Sequence, residues 1–442
     1  MKARKTLRVA LVGCGTVGGA TAEILLEEGD LLVERSGVAI ELVAIVSLTF
    51  NHARSLSLPE ELFTTDIDAV LADPDLDVVI ELTGGIDFPR ELIKKALDAG
   101  KHVVTANKAL LAHHGKELFA YARERGLTIG FEASSAGGIP IIRAITDGLL
   151  ANHIDAIYGI VNGTCNYILT EMIEKGQTYT EALAEAQGSG LAEADPGLDV
   201  EGIDSAHKLA IMTGLAFGTD VDFDAIPVTG IDSLQAQDVA FGLELGYVVK
   251  LLAVAYRING GVATWVRPAF ISKEHPLAWV AGPFNAVSVY GHRTGHTLYY
   301  GRGAGGDPTA SAVVADLLAI GMGTLPSNFA FTGYWPDRNG GPPQVSSGET
   351  SSRYYLRIMA QDRPGVLASI ASILGANDIS IASLIQNEEA LQNELIPVVI
   401  TTHVCREGAL REALTAIDAL PQCGEATTFI PIVDEHPERW TR

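Results

Sequence analysis

Gly13-Cys14-Gly15-Thr16-Val17-Gly18 is a GxGxxG pattern set between an apolar run, Leu7–Val12, and a helical pattern that reaches about Glu28. Phosphate recognition needs such a loop. The first glycine permits the tight turn, the second lets a pyrophosphate approach the backbone, and the third lets helix and strand pack closely. The phosphate then rests on free N–H groups at the helix N-terminus. The chemistry implied is dinucleotide binding, and with it hydride transfer, carried by Gly13, Gly15, Thr16, Val17 and Gly18. The acid that would hold the ribose hydroxyls of NAD is missing after the second strand, which ends Val46-Ser47-Leu48-Thr49. Its absence removes a bar to a 2′-phosphate. His52 and Arg54 follow. Either they reach such a phosphate or they are ordinary solvated loop residues. On this reading NADP(H) is favoured and NAD(H) remains possible.

A second group of reactive side chains lies farther along. Glu193, Asp199 and Asp204 crowd into one short span, more carboxylate than a plain surface carries without a cation. Lys208 follows Asp204 at i+4, the spacing of a helical ion pair. Lys108 follows another strand. A free lysine titrates at about pH 10.4 and can therefore protonate an alkoxide at neutral pH. Burial or a second lysine would bring it closer to the working range. The four cysteines, Cys14, Cys165, Cys405 and Cys423, follow no metal-ligand spacing. They predict reduced thiols and a cytoplasmic protein. Cys165 has no evident base beside it.

These residues need elements to position them. Strands are predicted at Leu7–Val12, Ile40–Val46, Val78–Leu82, His102–Thr105 and Leu127–Phe131, interleaved with helical pattern. Strands apolar on both faces predict a parallel sheet covered on both sides. From 152 to 335 helices gather at Asn166–Glu174, Thr180–Gln187 and Val200–Gly214. Strand-like runs follow at Tyr247–Ile258, Ala263–Ile271 and Val287–Tyr290, which predicts helices on one side of a mixed sheet. Residues 336–352, rich in Pro, Gly and Ser, read as a linker. Beyond it come a strand at Arg353–Ala360, a helix at Pro364–Ala376, strands at Ile379–Gln386 and Leu395–His403, a helix at Glu407–Ala419 and a strand at Thr427–Val433. That order is βαββαβ, the ferredoxin-like plan. The fold class is therefore α/β. It has a Rossmann-type parallel-sheet domain (1–151), an α+β domain with a mixed sheet (152–335) and a C-terminal ferredoxin-like domain (353–442).

Composition bounds the function. The 442 residues carry a net charge of −23, which excludes a nucleic-acid surface built on a clustered basic face. No apolar run reaches the roughly 20 residues of a membrane helix. The N-terminal Met1–Thr6 is basic, lacks a signal-peptide core, and reads as a solvated tail.

Four further segments carry a resemblance: Glu81-Leu82-Thr83-Gly84-Gly85, Thr105-Ala106-Asn107-Lys108, Phe131-Glu132-Ala133-Ser134 leading to Gly137-Gly138-Ile139-Pro140, and Asn162–Tyr167 with Gly190–Pro196 and Asp199–Lys208. Together, and with Gly301–Gly305, they resemble homoserine dehydrogenase over residues 7 to about 325, which implies that 152–335 is the catalytic and dimerisation domain and that its end packs back on the first. Asp362–Leu367 resembles the small-molecule-sensing turn of an ACT domain. The resemblance implies reversible, NAD(P)H-dependent reduction of L-aspartate 4-semialdehyde to L-homoserine, on the route to threonine, methionine and isoleucine. It makes Lys208 the proposed general acid/base and places Lys108 near nicotinamide and substrate. Either lysine, or both, would carry the proton. It assigns the substrate amino group to Glu193, the reacting oxygen or Lys208 to Asp199 and Asp204, and the substrate carboxylate to Gly163 and Thr164. It adds Thr83, Gly84, Thr105, Lys108, Ser134 and Gly190 to the cofactor residues.

The resemblance further implies a structural monovalent cation, Na+ or K+, held mostly by backbone carbonyls at Glu132, Ser135, Gly137 and Ile139. The family more often has valine where this chain has Ser135, a change to which a carbonyl is indifferent. It implies an amino-acid effector, threonine in the first place, at Asp362, Pro364, Gly365 and Val366, and a homodimer or homotetramer. The length is expected to leave no room for a preceding aspartokinase segment. Two other readings stand beside this one. A semialdehyde dehydrogenase on the same plan would need Cys165 as nucleophile. A non-catalytic sensor of dinucleotide and amino acid would not need Lys108, Glu193, Asp204 and Lys208 intact.

Overall fold

The computed structural model describes residues 5–332, 337, 341–386 and 395–437. Much of the predicted linker core, 336 and 338–340, lies outside them. The chain forms two compact units. One comprises 1–163, 204–223 and 284–343, and the other 164–203, 224–283 and 344–442.

In the first unit, six strands form an all-parallel sheet in the order β3-β2-β1-β4-β5-β6. They are β1 (Lys5–Val12), β2 (Val38–Val46), β3 (Phe63–Thr64), β4 (Val78–Glu81), β5 (His102–Thr105) and β6 (Ile129–Gly130). Val9, Leu11, Val78, Ile80 and Val104 are fully buried, as a sheet covered on both faces requires. Strand order reverses at β1, so the crevice beyond the carboxyl ends of β1 and β4 is where this topology takes a ligand. The last strand is shorter than its apolar run. The chain leaves β6 at Gly130 and turns through a 3-10 segment, Glu132–Ser134.

The same unit holds three antiparallel strands, with Phe284–Gly291 between Ile154–Ile160 and Gly295–Arg302. The following helix, Gly306–Met322, packs against helix Thr16–Glu27. Its Ala312, Val313, Leu317 and Ile320 join the core of the parallel sheet. No single helix among the described residues is long and apolar enough to cross a membrane.

In the second unit, Tyr247–Ile258 and Gly261–Ser272 form a long antiparallel hairpin. Its turn, Asn259-Gly260, has φ of 49° and 80°, the left-handed pair that this dipeptide adopts readily. The βαββαβ module follows. Its strands are ordered Thr428–Val433, Ser351–Gln361, Leu395–Thr402, Ile381–Gln386, and helices Val366–Ala376 and Glu407–Asp418 cover one core with Ile358, Ile370, Val398 and Leu410. The first of these helices starts two residues after Pro364, because Gly365 sits at φ 93° and cannot be its first turn. Ile432 and Val433 pair in parallel with Phe270 and Ile271, joining the module to the hairpin.

Candidate active site

The glycine loop has the shape its spacing predicts. A Cβ on Gly13 would lie 2.6 Å from the Leu82 carbonyl oxygen, and one on Gly18 would lie 2.1 Å from that of Gly13. A Cβ on Gly15 would meet nothing among the described residues within 4 Å. Gly15 is the N-cap of helix Thr16–Glu27, with no side-chain cap and no acid in the first turn. The free N–H groups and the positive end of the helix dipole are thus available to a phosphate. After β2, Leu48 is 95 % exposed. Arg54 is paired with Glu60 at 2.9 Å, and the His52 ring packs on Gly19.

The ends of β4 and β5 are tied together beneath this crevice. The buried Glu81 carboxylate accepts from Thr83 N (2.8 Å), Thr83 Oγ1 (2.7 Å) and Thr105 Oγ1 (2.6 Å). Thr105 Oγ1 in turn accepts from Asn107 N at 3.0 Å. Asn107 caps the next helix, Lys108–Glu124, by accepting from Leu110 N, and its amide donates to the Gly85 carbonyl. Gly84 sits exposed at φ 77° in the turn.

Lys108 therefore starts a helix whose origin is fixed. Its Nζ lies 2.6 Å from Asp204 Oδ1. Lys208 Nζ lies 2.7 Å from Asp204 Oδ2 and donates to the Val161 carbonyl at 2.6 Å. Asn162 Nδ2 also donates to Asp204 Oδ2. The pairing expected at i+4 is thus present, but it is not on a surface: the side chains of Lys208 and Asp204 are 8 % and 5 % exposed, against 43 % for Lys108. Burial alone would raise the Asp204 pKa, yet the Lys208 and Lys108 ammonium groups outweigh it and hold the carboxyl well below the usual carboxylate range. The helix carrying this pair is broken where one continuous helix was expected. Gly202, at φ 87°, separates Gly197–Val200 from Ile203–Phe217.

Residues of the second unit form their own cluster. The Thr164 hydroxyl lies 3.0 Å from both the Leu191 carbonyl and Asp199 Oδ2, and its single proton serves one of them at a time. Glu193 is exposed, with its carbonyl taken by Gln187. Gly190 turns at φ 74°. Cys165 is fully buried and its thiol lies 3.1 Å from the Asp199 carbonyl, a poor setting for a nucleophile.

The loop after β6 is buried and rich in oxygen. The Glu132 carboxylate accepts from the backbone N–H groups of Ile142 and Arg143, both at 2.9 Å. Burial and the neighbouring Asp316 raise its pKa to about 7. Ser134 Oγ donates to the Phe131 carbonyl, whereas the buried Ser135 Oγ has no hydrogen-bond partner among the described residues. Gly137 has φ 36°, and a Cβ there would meet the Gly303 carbonyl at 2.8 Å. The Ile139 carbonyl accepts from Ile141 N. Among the described residues no group of three or more His, Cys, Asp or Glu side chains is placed to hold a metal.

In the βαββαβ module a cavity of about 350 Å³ is lined by Asp362, Pro364, Gly365 and Val366 together with Gln386 and Val398. Gln386 donates to Asp362 at 3.3 Å.

Sequence reasoning missed Glu81 and Asn162 as organisers. Glu81 was visible in its motif, but nothing local says that it reaches β5.

Three segments of the chain match models of known families. Residues 13–132 match the model of the homoserine dehydrogenase NAD-binding domain, residues 140–318 that of homoserine dehydrogenase, and residues 354–422 that of the ACT domain. The homoserine dehydrogenase of Pseudomonas aeruginosa is 45% identical over 94% of this chain and 96% of its own length. A crystal structure of a homoserine dehydrogenase from Thiobacillus denitrificans superposes with a TM-score of 0.91 at 41% identity, covering 97% of this chain and 99% of that one. A hyperthermophilic archaeal homoserine dehydrogenase in complex with NADPH matches at a TM-score of 0.60 and 27% identity, covering 71% of this chain and 97% of its own. The chain belongs to the homoserine dehydrogenase family: it is an oxidoreductase acting on a CH–OH group, with an NAD(P)-binding domain and an ACT domain.

Proposed function

We propose that the chain interconverts L-homoserine and L-aspartate 4-semialdehyde with NADP(H) as the preferred cofactor, and that Lys208 transfers the proton. The observation that carries this reading is the buried Asp204 carboxylate bracketed by two lysines at 2.6 and 2.7 Å. A bound nicotinamide supplies the hydride. The protein must then hold a proton donor near the developing alkoxide. Lys208 Nζ, fixed by Asp204 and the Val161 carbonyl, donates its proton there, and Asp204 keeps the ammonium oriented. Lys108, the more exposed lysine, orients substrate and nicotinamide and adds positive charge where the oxyanion forms.

In this reading Gly13, Gly15, Thr16, Val17 and Gly18 hold the pyrophosphate, and Thr83, Gly84, Thr105, Ser134 and Gly190 complete the cofactor site. Gly163 and Thr164 take the substrate carboxylate and Glu193 its ammonium group, with Asp199 beside the reacting end. The absence of an acid after Val46 favours NADP(H), as does the NADPH complex of the archaeal relative. A monovalent cation fits the loop at Glu132, Ser135, Gly137 and Ile139. The loop is oxygen-rich, and the buried Ser135 hydroxyl there lacks a hydrogen-bond partner among the described residues. Its role is structural. Threonine is the proposed effector at Asp362–Val366, in a cytoplasmic homodimer or homotetramer.

Initial rates with homoserine and each cofactor, with and without threonine, test the reading. The expected result is a higher kcat/KM with NADP+ than with NAD+, and inhibition by threonine. Equal or reversed cofactor preference overturns the NADP assignment, and an absence of homoserine-dependent reduction overturns the whole.

A further inference from the structure

Glu81 is fully buried at the carboxyl end of β4, and among the described residues no cation pairs with it. Its three hydrogen bonds all come from neutral donors: Thr83 N, Thr83 Oγ1 and Thr105 Oγ1. The Thr105 hydroxyl donates its one proton to Glu81 and accepts from Asn107 N. The carboxylate is thus an acceptor at every contact. Burying such a group without a counter-charge is costly, and a neutral side chain could clamp two turns at less expense. A buried negative charge at the ligand-binding end of a parallel sheet acts on whatever charge is placed there, because the low dielectric screens it weakly.

We propose that Glu81 is a positioning residue with an electrostatic role. It locks the Thr83–Gly85 turn to the Thr105–Lys108 turn, and its charge favours the oxidised, cationic nicotinamide over the reduced, neutral ring. This inference rests on the cofactor placement proposed above. The clamp runs from Glu81 through Thr105 and Asn107 to the first residue of the Lys108 helix, so its loss also displaces the Lys108 ammonium. The charge effect is separable from the clamp, because only the charge distinguishes the two redox states of one cofactor.

The test measures dissociation constants for NADP+ and NADPH with the full chain, by calorimetry and by nicotinamide fluorescence, in the wild type, Glu81→Gln and Thr105→Val. Glu81→Gln keeps the shape and removes the charge. It should shift the affinity ratio toward NADPH by on the order of tenfold, as one partly screened charge would, and lower kcat. Thr105→Val keeps the charge and cuts the clamp. It should lower kcat and leave the ratio as in the wild type. Equal weakening of both cofactors by Glu81→Gln, or no change, overturns the proposal. If that variant fails to fold, a changed ratio or an unchanged kcat in Thr105→Val overturns it instead, and the expected pattern there supports it. Failure of the functional reading would look different: wild-type protein would bind neither cofactor, or Lys108→Met would keep full kcat.

Discussion

The central pair, Asp204 and Lys208, shows how one buried carboxylate sets the state of its surroundings. Asp204 stays charged because two ammonium groups outweigh the cost of burying it. The adjacent His207 goes the other way. Burial first, then the neighbouring His113, hold its pKa down to about 4, so it stays neutral beside the two lysines. Its ring stacks on Phe223 at 4.8 Å. An unfolded histidine titrates at about 6.5. Between these values the unfolded chain binds a proton that the folded chain refuses, so this stability is full above about pH 6.5 and is lost as pH falls toward 4. Glu132 opposes it. With its pKa raised to about 7, the folded chain keeps a proton that the unfolded chain loses, and stability falls as pH rises through that window. The wild type minus His207→Gln difference isolates the histidine. Denaturant unfolding should show that difference growing by about 2 kcal/mol from pH 4 to 6.5, and a flat difference would contradict the assignment.

At the scale of elements, much of the site was legible because its signals are local. The glycine loop follows from Gly13, Gly15 and Gly18 set between the apolar run Leu7–Val12 and the helical pattern that comes after it. What was not legible depends on contacts between distant segments. Helix Gly306–Met322 packs on Thr16–Glu27, a contact made by the fold rather than by any local pattern. The break at Gly202 was hidden because the apolar period runs straight through it. The Glu81–Thr105 clamp joins side chains 24 positions apart. The glycines themselves give a paired prediction. Gly15→Ala meets open space, so its melting temperature should match the wild type while its KM for cofactor rises about tenfold or more, the methyl lying where the pyrophosphate approaches. Gly18→Ala forces a Cβ to 2.1 Å from the Gly13 carbonyl and should cost about 1–3 kcal/mol of stability in unfolding titrations. The reverse order of effects would contradict this account of the loop.

Taken whole, the second unit joins the ACT module to helix Ala236–Glu244 and to the hairpin through one buried ion pair each. Arg357 reaches Asp238 at 2.6 and 3.1 Å, and the Tyr355 hydroxyl donates to the same carboxylate at 2.9 Å. Arg267 pairs with Glu407 at 3.0 Å. Removing one partner strands the other, so Arg357→Met should cost about 3–5 kcal/mol, and the double variant Arg357→Met/Asp238→Leu should recover much of it. Chemical denaturation of the two variants checks this; equal stability would contradict it. For the same reason, cutting away the module would confound loss of threonine response with loss of folding. A substitution within the proposed effector cavity, Asp362→Ala, is the cleaner probe. It should abolish threonine inhibition at unchanged basal rate in initial-rate assays, whereas retained inhibition would place the effector elsewhere.

In the proposed reaction Lys208, held by Asp204, moves the proton of a homoserine–semialdehyde exchange. The most direct measurement is homoserine-dependent reduction of NADP+ by wild type and Lys208→Met, with NADP+ affinity determined on the same samples. The expected result is saturable reduction by the wild type and a kcat lowered by ~10²–10⁴-fold in the variant, with cofactor affinity retained. A variant that turns over at the wild-type rate would contradict it.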